Sequence, residues 1–120
     1  MNTEKFYLDL SQLRLLSGDD DEFTIDILES IQEESPEAAS AMSSLLAEQD
    51  MNKLGATAHR FKSTVNVLGN TNMNGLLKDI ENNATDGGSL EDLQGMVQSF
   101  QQMCDLMLES IQLELDKLRA

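Results

Sequence analysis

The sequence predicts an all-α protein, an antiparallel (up-down) four-helix bundle with a short extra N-terminal helix. Of the 120 residues, 4% are aromatic and none is tryptophan, whereas strands favour aromatic and β-branched side chains. The chain has one proline, and apolar residues recur at helical spacing in segments joined by short links. A chain of this length fits one domain, residues 1–120, with a single core.

The first half of the chain predicts a short helix and a long segment. The short helix covers about 9–17 and ends at Gly18. The acidic run 19–22 then places negative charge at the start of the next helix, where the helix dipole favours it. The apolar stripe of this helix continues to about Gln49. Within it, Ser35-Pro36-Glu37 predicts that a new helix or a kink begins at 35–37. The stripe begins with Phe23, Ile27, Leu28 and Ile31.

The second half predicts three further helices. Asp50 is expected to cap a helix from Met51 to about Leu68, and either Thr71 or Asn72 to cap the next. The segment 82–88, with its Asp-Gly-Gly sequence, is a predicted loop before the last helix. That helix starts with Ser89-x-x-Asp92, which resembles a capping box, and a coiled-coil dimer through it stays an alternative. Its stripe is Leu93, Val97, Phe100, Cys104, Met107, Ile111 and Leu118.

Composition narrows the function. The net charge of −14 argues against nucleic acid and anionic membrane surfaces as partners. The lone cysteine, Cys104, allows no internal disulfide and is expected in the core. No metal-ligand cluster, signal segment or membrane-spanning run is visible, so a cytoplasmic protein is expected. Between Met51 and Lys78 there is no acid, although four of the eight cations lie there.

The third helix carries the sole histidine on its outer side. At about 100° per residue its apolar residues share one face, and His59 lies more than about 100° from the centre of that face. Gly55, Lys62, Ser63 and Asn66 are expected in the same outer sector. Gly55 costs the helix about 0.5–1 kcal/mol relative to alanine, which suits a place where another molecule approaches closely. An incidental surface histidine is the alternative.

These residue types suit phosphoryl transfer. A neutral imidazole is a nucleophile, and its ordinary pKa of about 6.5 leaves it mostly neutral at pH 7. Lys62, three residues after His59, lies on the same helix face and can offset charge on phosphoryl oxygens. No cofactor is then needed on this chain, because the partner can supply magnesium and the leaving group.

The run 59–69, His-Arg-Phe-Lys-Ser-Thr-Val-Asn-Val-Leu-Gly, resembles the signature of the histidine-containing phosphotransfer (HPt) domain family. The segments 9–23, 36–37 and 76–81 are also similar to the family, although Ser63, Thr64 and Asn66 are larger or more polar than is usual there. The resemblance implies that His59 accepts the phosphoryl group and Lys62 stabilises it. It further implies docking of receiver domains over Gly55, Arg60, Ser63 and Asn66, with Gly69 aiding tight packing at the helix end.

The sequence therefore predicts a monomeric phosphorelay intermediate that takes a phosphoryl group from a receiver-domain phospho-aspartate and passes it to another receiver, with no catalytic cycle of its own. Two alternatives remain. One is a non-catalytic helical-bundle adaptor that acts by protein–protein binding, with His59 incidental. The other is the dimerisation and phosphoacceptor region of a sensor kinase, which would be a two-helix hairpin completed by a dimer and followed by an ATP-binding domain.

Overall fold

A computed structural model describes residues 6–120, and all regular structure within them is helical. The elements are α1 (Ser11–Ser17), α2 (Asp21–Ala47), α3 (Met51–Val65), a 3-10 turn (Asn66–Leu68), α4 (Thr71–Thr85) and α5 (Leu90–Arg119). The all-α prediction is confirmed. The predicted loop at 82–88 starts too early, because α4 continues to Thr85 and the turn occupies 86–88.

Polar side chains cap the four long helices. Asp20 accepts a hydrogen bond from the Glu22 N–H, and the caps predicted at Asp50 and Ser89 are confirmed. The cap predicted for α4 at Thr71 or Asn72 is wrong, because Asn70 takes that position and accepts from the Met73 N–H at 2.8 Å. Asn70 is favoured there because its side-chain amide also donates to the Tyr7 carbonyl, 63 residues earlier.

Helix α2 passes through Pro36 without interruption, so the first of the two predictions for 35–37, a new helix, is wrong, and the second, a kink, stays a prediction. A proline inside a helix removes the hydrogen bond to the carbonyl four residues earlier. Here the helix packs against both α3 and α5, and that packing holds the backbone helical on either side of the proline. Ser35 does not cap a new helix but is buried within α2, and its hydroxyl donates to the Ile31 carbonyl at 2.5 Å.

The four long helices form a ring in which α2 contacts α3 and α5, and α4 contacts the same two helices. Side-chain contacts run in opposite directions along α2–α5, from Glu29–Arg119 to Ser43–Gln101, so this pair is antiparallel. The complete up-down order of the bundle stays a prediction. Phe61 and Phe100 meet edge to face in the core, with ring centroids 5.6 Å apart.

The predicted apolar stripes are mostly confirmed. In α5 the predicted stripe residues from Leu93 to Ile111 are buried. Beyond them Leu115 is buried, whereas Leu118, which the predicted stripe includes, is half-buried. In α2, Thr24 is buried where Phe23 was expected, and Phe23 is 41% exposed. The buried position shifts by one residue in α2 and by about one turn in α5. The packing of the neighbouring helices decides which residues are buried, and it does not keep to an exact sequence repeat.

Candidate functional site

His59 lies on the outer side of α3, facing α4. Its side chain is 61% exposed, and its Nδ1 lies 2.9 Å from a carboxylate oxygen of Glu81 on α4. When the neutral ring donates its Nδ1–H to that carboxylate, the lone pair is on Nε2. The contact therefore orients the imidazole and selects the nitrogen that is free to react.

Glu81 also binds Lys62, whose Nζ lies 3.4 Å from the second carboxylate oxygen. Lys62 and Glu81 are about three-quarters buried between α3 and α4. Burial raises the pKa of Glu81. The hydrogen bonds and charges of His59 and Lys62 lower it, and together they outweigh the effect of burial, so the pKa lies below its usual 4.5. Glu81 is consequently a carboxylate at neutral pH and is shared by the histidine and the lysine.

The absence of acids between Met51 and Lys78 along the chain does not leave His59 without an acidic neighbour in three dimensions. The window from Met51 to Lys78 lacks acids along the chain, but Glu81 follows three residues later and α4 folds back onto α3. Helical periodicity describes one helix at a time and does not say which residue of a second helix faces it. The resemblance of the segment 76–81 to a family pattern was the available signal, and it assigned no role to Glu81.

A family model described as Hpt domain matches residues 26–120. The chain belongs to the HPt family. It is thus a histidine phosphotransfer protein of two-component phosphorelay signalling. The fold agrees with the crystal structure of histidine-containing phosphotransfer protein B (HptB) from Pseudomonas aeruginosa PAO1, with a TM-score of 0.81 at 22% identity over 92% of this chain and 96% of that one. Among curated protein sequences, none matches the chain.

The predicted docking residues of this HPt domain lie in two places. Ser63 and Asn66 are exposed and line a groove between α3 and α4, together with Lys62 and Asn74. Arg60 is exposed on the other side of His59, where it lines a groove between α3 and α2. The two grooves flank the histidine along the surface of the bundle.

Gly55 does not lie on the exposed surface, so its expected place beside His59 in the outer sector is wrong. It is buried where α3 crosses α4, and an added Cβ would lie 3.3 Å from the Thr85 methyl group and 3.6 Å from the Ala84 Cβ. The glycine therefore admits a neighbouring helix of the same chain rather than a partner molecule. This close crossing helps to bring Glu81 within reach of His59.

Gly69 ends the helical run that carries His59. Its φ of +67° is left-handed, and an added Cβ would lie 2.7 Å from the Asp9 Cβ. The neighbouring Leu68 carbonyl accepts a hydrogen bond from the Asp9 N–H at 2.8 Å. The position thus serves both the turn and the packing of the N-terminal segment on the end of α3.

The core cysteine does not line this site. Cys104 is buried in α5, as predicted, and burial raises the pKa of its thiol to about 12. Within residues 6–120, no group of three or more His, Cys, Asp or Glu side chains is arranged to hold a metal ion. Nor does that part of the chain contain a helix long and apolar enough to cross a membrane.

Proposed function

We propose that the chain is a phosphorelay intermediate that accepts a phosphoryl group on His59 from the phospho-aspartate of one receiver domain and passes it to a second receiver. The observation that carries the proposal is the exposed imidazole whose Nδ1 lies 2.9 Å from Glu81. This arrangement provides an oriented nucleophile that a partner can reach. The membership of the chain in the HPt family supports the same reaction class.

In the proposed transfer, the Nε2 lone pair of His59 attacks the phosphorus, an N–P bond forms, and the O–P bond to the aspartate breaks. The aspartate leaves as a carboxylate, so no proton need be removed from the ring. The phosphorylated imidazole retains its Nδ1–H and carries a positive charge, which the Glu81 carboxylate stabilises at hydrogen-bond distance. Transfer to the second receiver reverses these steps.

Lys62 is proposed to stabilise the phosphoryl group. In the free protein its ammonium contacts Glu81 at 3.4 Å, one helical turn from His59. A phosphoryl group on Nε2 brings a dianion to the same helix face, and the flexible lysine side chain can turn from the carboxylate to its oxygens. Lys62 thus holds a charge in reserve beside the reacting atom.

The partners proposed are receiver domains of response regulators or hybrid kinases, which dock over Arg60, Ser63 and Asn66. Magnesium is proposed to belong to the receiver, and this chain acts as a monomeric carrier without a catalytic cycle of its own. Its acidic surface, with a net charge of −14, suits protein partners better than nucleic acid. The cytoplasmic location stays a prediction.

The deciding experiment compares the wild type with His59→Gln in phosphoryl transfer from a panel of phosphorylated receiver domains. We expect label on the wild type that is labile to acid and stable to base, and none on His59→Gln. Because His59 is exposed, the variant should keep the helicity and melting temperature of the wild type.

Asn52→Gln is the matched control, since Asn52 is exposed in the first turn of the same helix and should be labelled like the wild type. Label on both His59→Gln and the wild type would show that another residue accepts the phosphoryl group. Absence of label on the wild type from the whole panel, with receiver binding that is indifferent to His59, would favour the adaptor function.

A further inference from the structure

A polar groove of about 370 Å³ lies beside the proposed phosphoryl site, between α3 and α4. Lys62 forms the end nearest His59, and Ser63, Asn66 and Asn74 form the remainder. The groove has no acidic lining residue, although the chain has 22 acids. A segment of a partner that docks over His59 can therefore enter it without meeting like charge.

Asn66 and Asn74 connect the two helices across this groove. The Asn74 Nδ2 donates to the Asn66 Oδ1 at 3.1 Å. Asn66 is in the 3-10 turn that follows α3, seven residues after His59, and Asn74 lies two turns before Glu81 along α4. The Oδ1 of Asn74 is buried, and within residues 6–120 it has no hydrogen-bond partner. If the oxygen and nitrogen positions of both side-chain amides are exchanged, Asn66 becomes the donor and Asn74 the acceptor. The buried position of Asn74 then holds its NH₂ group, so one buried polar atom is unpaired in either assignment.

An unpaired buried amide atom is a cost that the fold does not require. A leucine at position 74 would have nearly the same size and would bury no polar group. Asn66, in contrast, is exposed and can turn toward water when its partner is withdrawn. The asparagine pair can therefore open, and opening it leaves the Asn74 Nδ2 as well as its Oδ1 in need of a hydrogen bond.

A peptide unit matches what the open pair offers. A carboxamide presents one acceptor and one donor side by side, and a main-chain N–H and C=O can satisfy both. Lys62 lies at the end of the groove nearest His59, and the other lining side chains are uncharged and polar, so the remainder of the groove suits a neutral main-chain segment better than a small anion.

We propose that Asn66 and Asn74 form a clasp that opens to bind a main-chain segment of the docking receiver domain, so that Asn74 helps to determine which receivers dock. The inference rests on the proposed function, since it assumes that a receiver approaches His59. It adds a residue of α4 that the sequence did not assign and gives a reason for its buried, unpaired amide oxygen.

The test uses the receiver domain that labels the wild type fastest, and measures both its Kd and the melting temperature of Asn74→Leu. We expect the melting temperature to rise by about 3–6 °C, because a buried unpaired atom is removed. The Kd should increase roughly 3–10-fold, because the receiver loses hydrogen bonds. His59 should still be labelled at saturating receiver. Asn66→Ala, at an exposed position, should weaken binding to a similar extent without unfolding the protein.

Asn72→Leu is the matched control, because it makes the same change at an exposed position on the opposite side of α4 and should leave the Kd unchanged. A rise in melting temperature with an unchanged Kd would overturn the docking role. A fall in melting temperature would overturn the argument from the unpaired atom. Failure of the proposed function is distinct, since it removes labelling of the wild type itself.

Discussion

Two helix pairs of the bundle, α2–α5 and α3–α4, carry polar contacts of different kinds. Between α2 and α5, exposed partners meet one to one, as in Glu29–Arg119, Gln32–Gln112 and Ser43–Gln101. Between α3 and α4, the largely buried Glu81 is shared by His59 and Lys62, and two turns away the amide of Asn74 is left partly unpaired.

The difference shows how similar residue types serve different ends. An exposed ion pair contributes little to stability, because water solvates both charges nearly as well. A largely buried carboxylate between two helices is restricted in position, so it can orient a ring and hold a cation in place. The α2–α5 contacts are therefore those expected of a scaffold, whereas the α3–α4 contacts are those expected of a functional site.

His59→Gln is expected to have the largest effect on phosphoryl transfer, and Lys62→Ala the next largest. We expect phosphoryl acceptance to continue but to slow by about tenfold, because a charge-assisted contact to the phosphoryl oxygens is removed. Rates of labelling and of loss of label measure the effect. Lys53→Ala is the control on the same helix, at a side chain that is 76% exposed and pairs with Asp50. Equal rates in Lys62→Ala and wild type would remove the proposed role of Lys62.

Glu81→Gln tests whether the shared carboxylate positions the histidine. We expect roughly threefold slower acceptance, since the amide oxygen can still accept a hydrogen bond but carries no charge. The ¹⁵N shifts of the His59 ring should show the Nδ1–H tautomer in the wild type and less of it in the variant. A wild-type ring with its proton on Nε2 would contradict the assignment.

The lowered pKa of Glu81 predicts a pH dependence with a definite sign. Because the folded state favours the ionised carboxylate, its stabilising contribution is fully present above the ordinary value of 4.5 and is lost as the pH falls through the lowered pKa. The stability advantage of the wild type over Glu81→Gln should therefore narrow below pH 4.5. Denaturant titrations at several pH values measure this, and an advantage that widened on acidification would refute the ion-pair argument.

The smallest effect is expected on the other helix pair. Arg119→Ala removes the contact with Glu29, where both side chains are nearly half exposed, and should change the free energy of unfolding by about 0–1 kcal/mol. Phosphoryl acceptance should stay at the wild-type rate. Slower transfer in this variant would show that the scaffold contacts also support the site.

Much of the fold could be predicted from the sequence because its signals are local. The apolar stripes, the caps at Asp50 and Ser89 and the turn at Gly18 depend on residues within a few positions of one another. The errors arose where distant residues decided the outcome. Asn70 caps α4 while binding Tyr7, and α2 continues through Pro36 while packing on two other helices.

By itself, the sequence determined the all-helical class, the exposed sole histidine and the lysine one turn after it, because helical geometry relates residues three or four apart. The tertiary structure alone decided what faces them from another helix. The close crossing at Gly55 turns an apparently acid-free face into one where Glu81 binds both His59 and Lys62, and the same crossing aligns Asn74 with Asn66. Such pairings depend on how two helices pack, and no spacing within one helix encodes them.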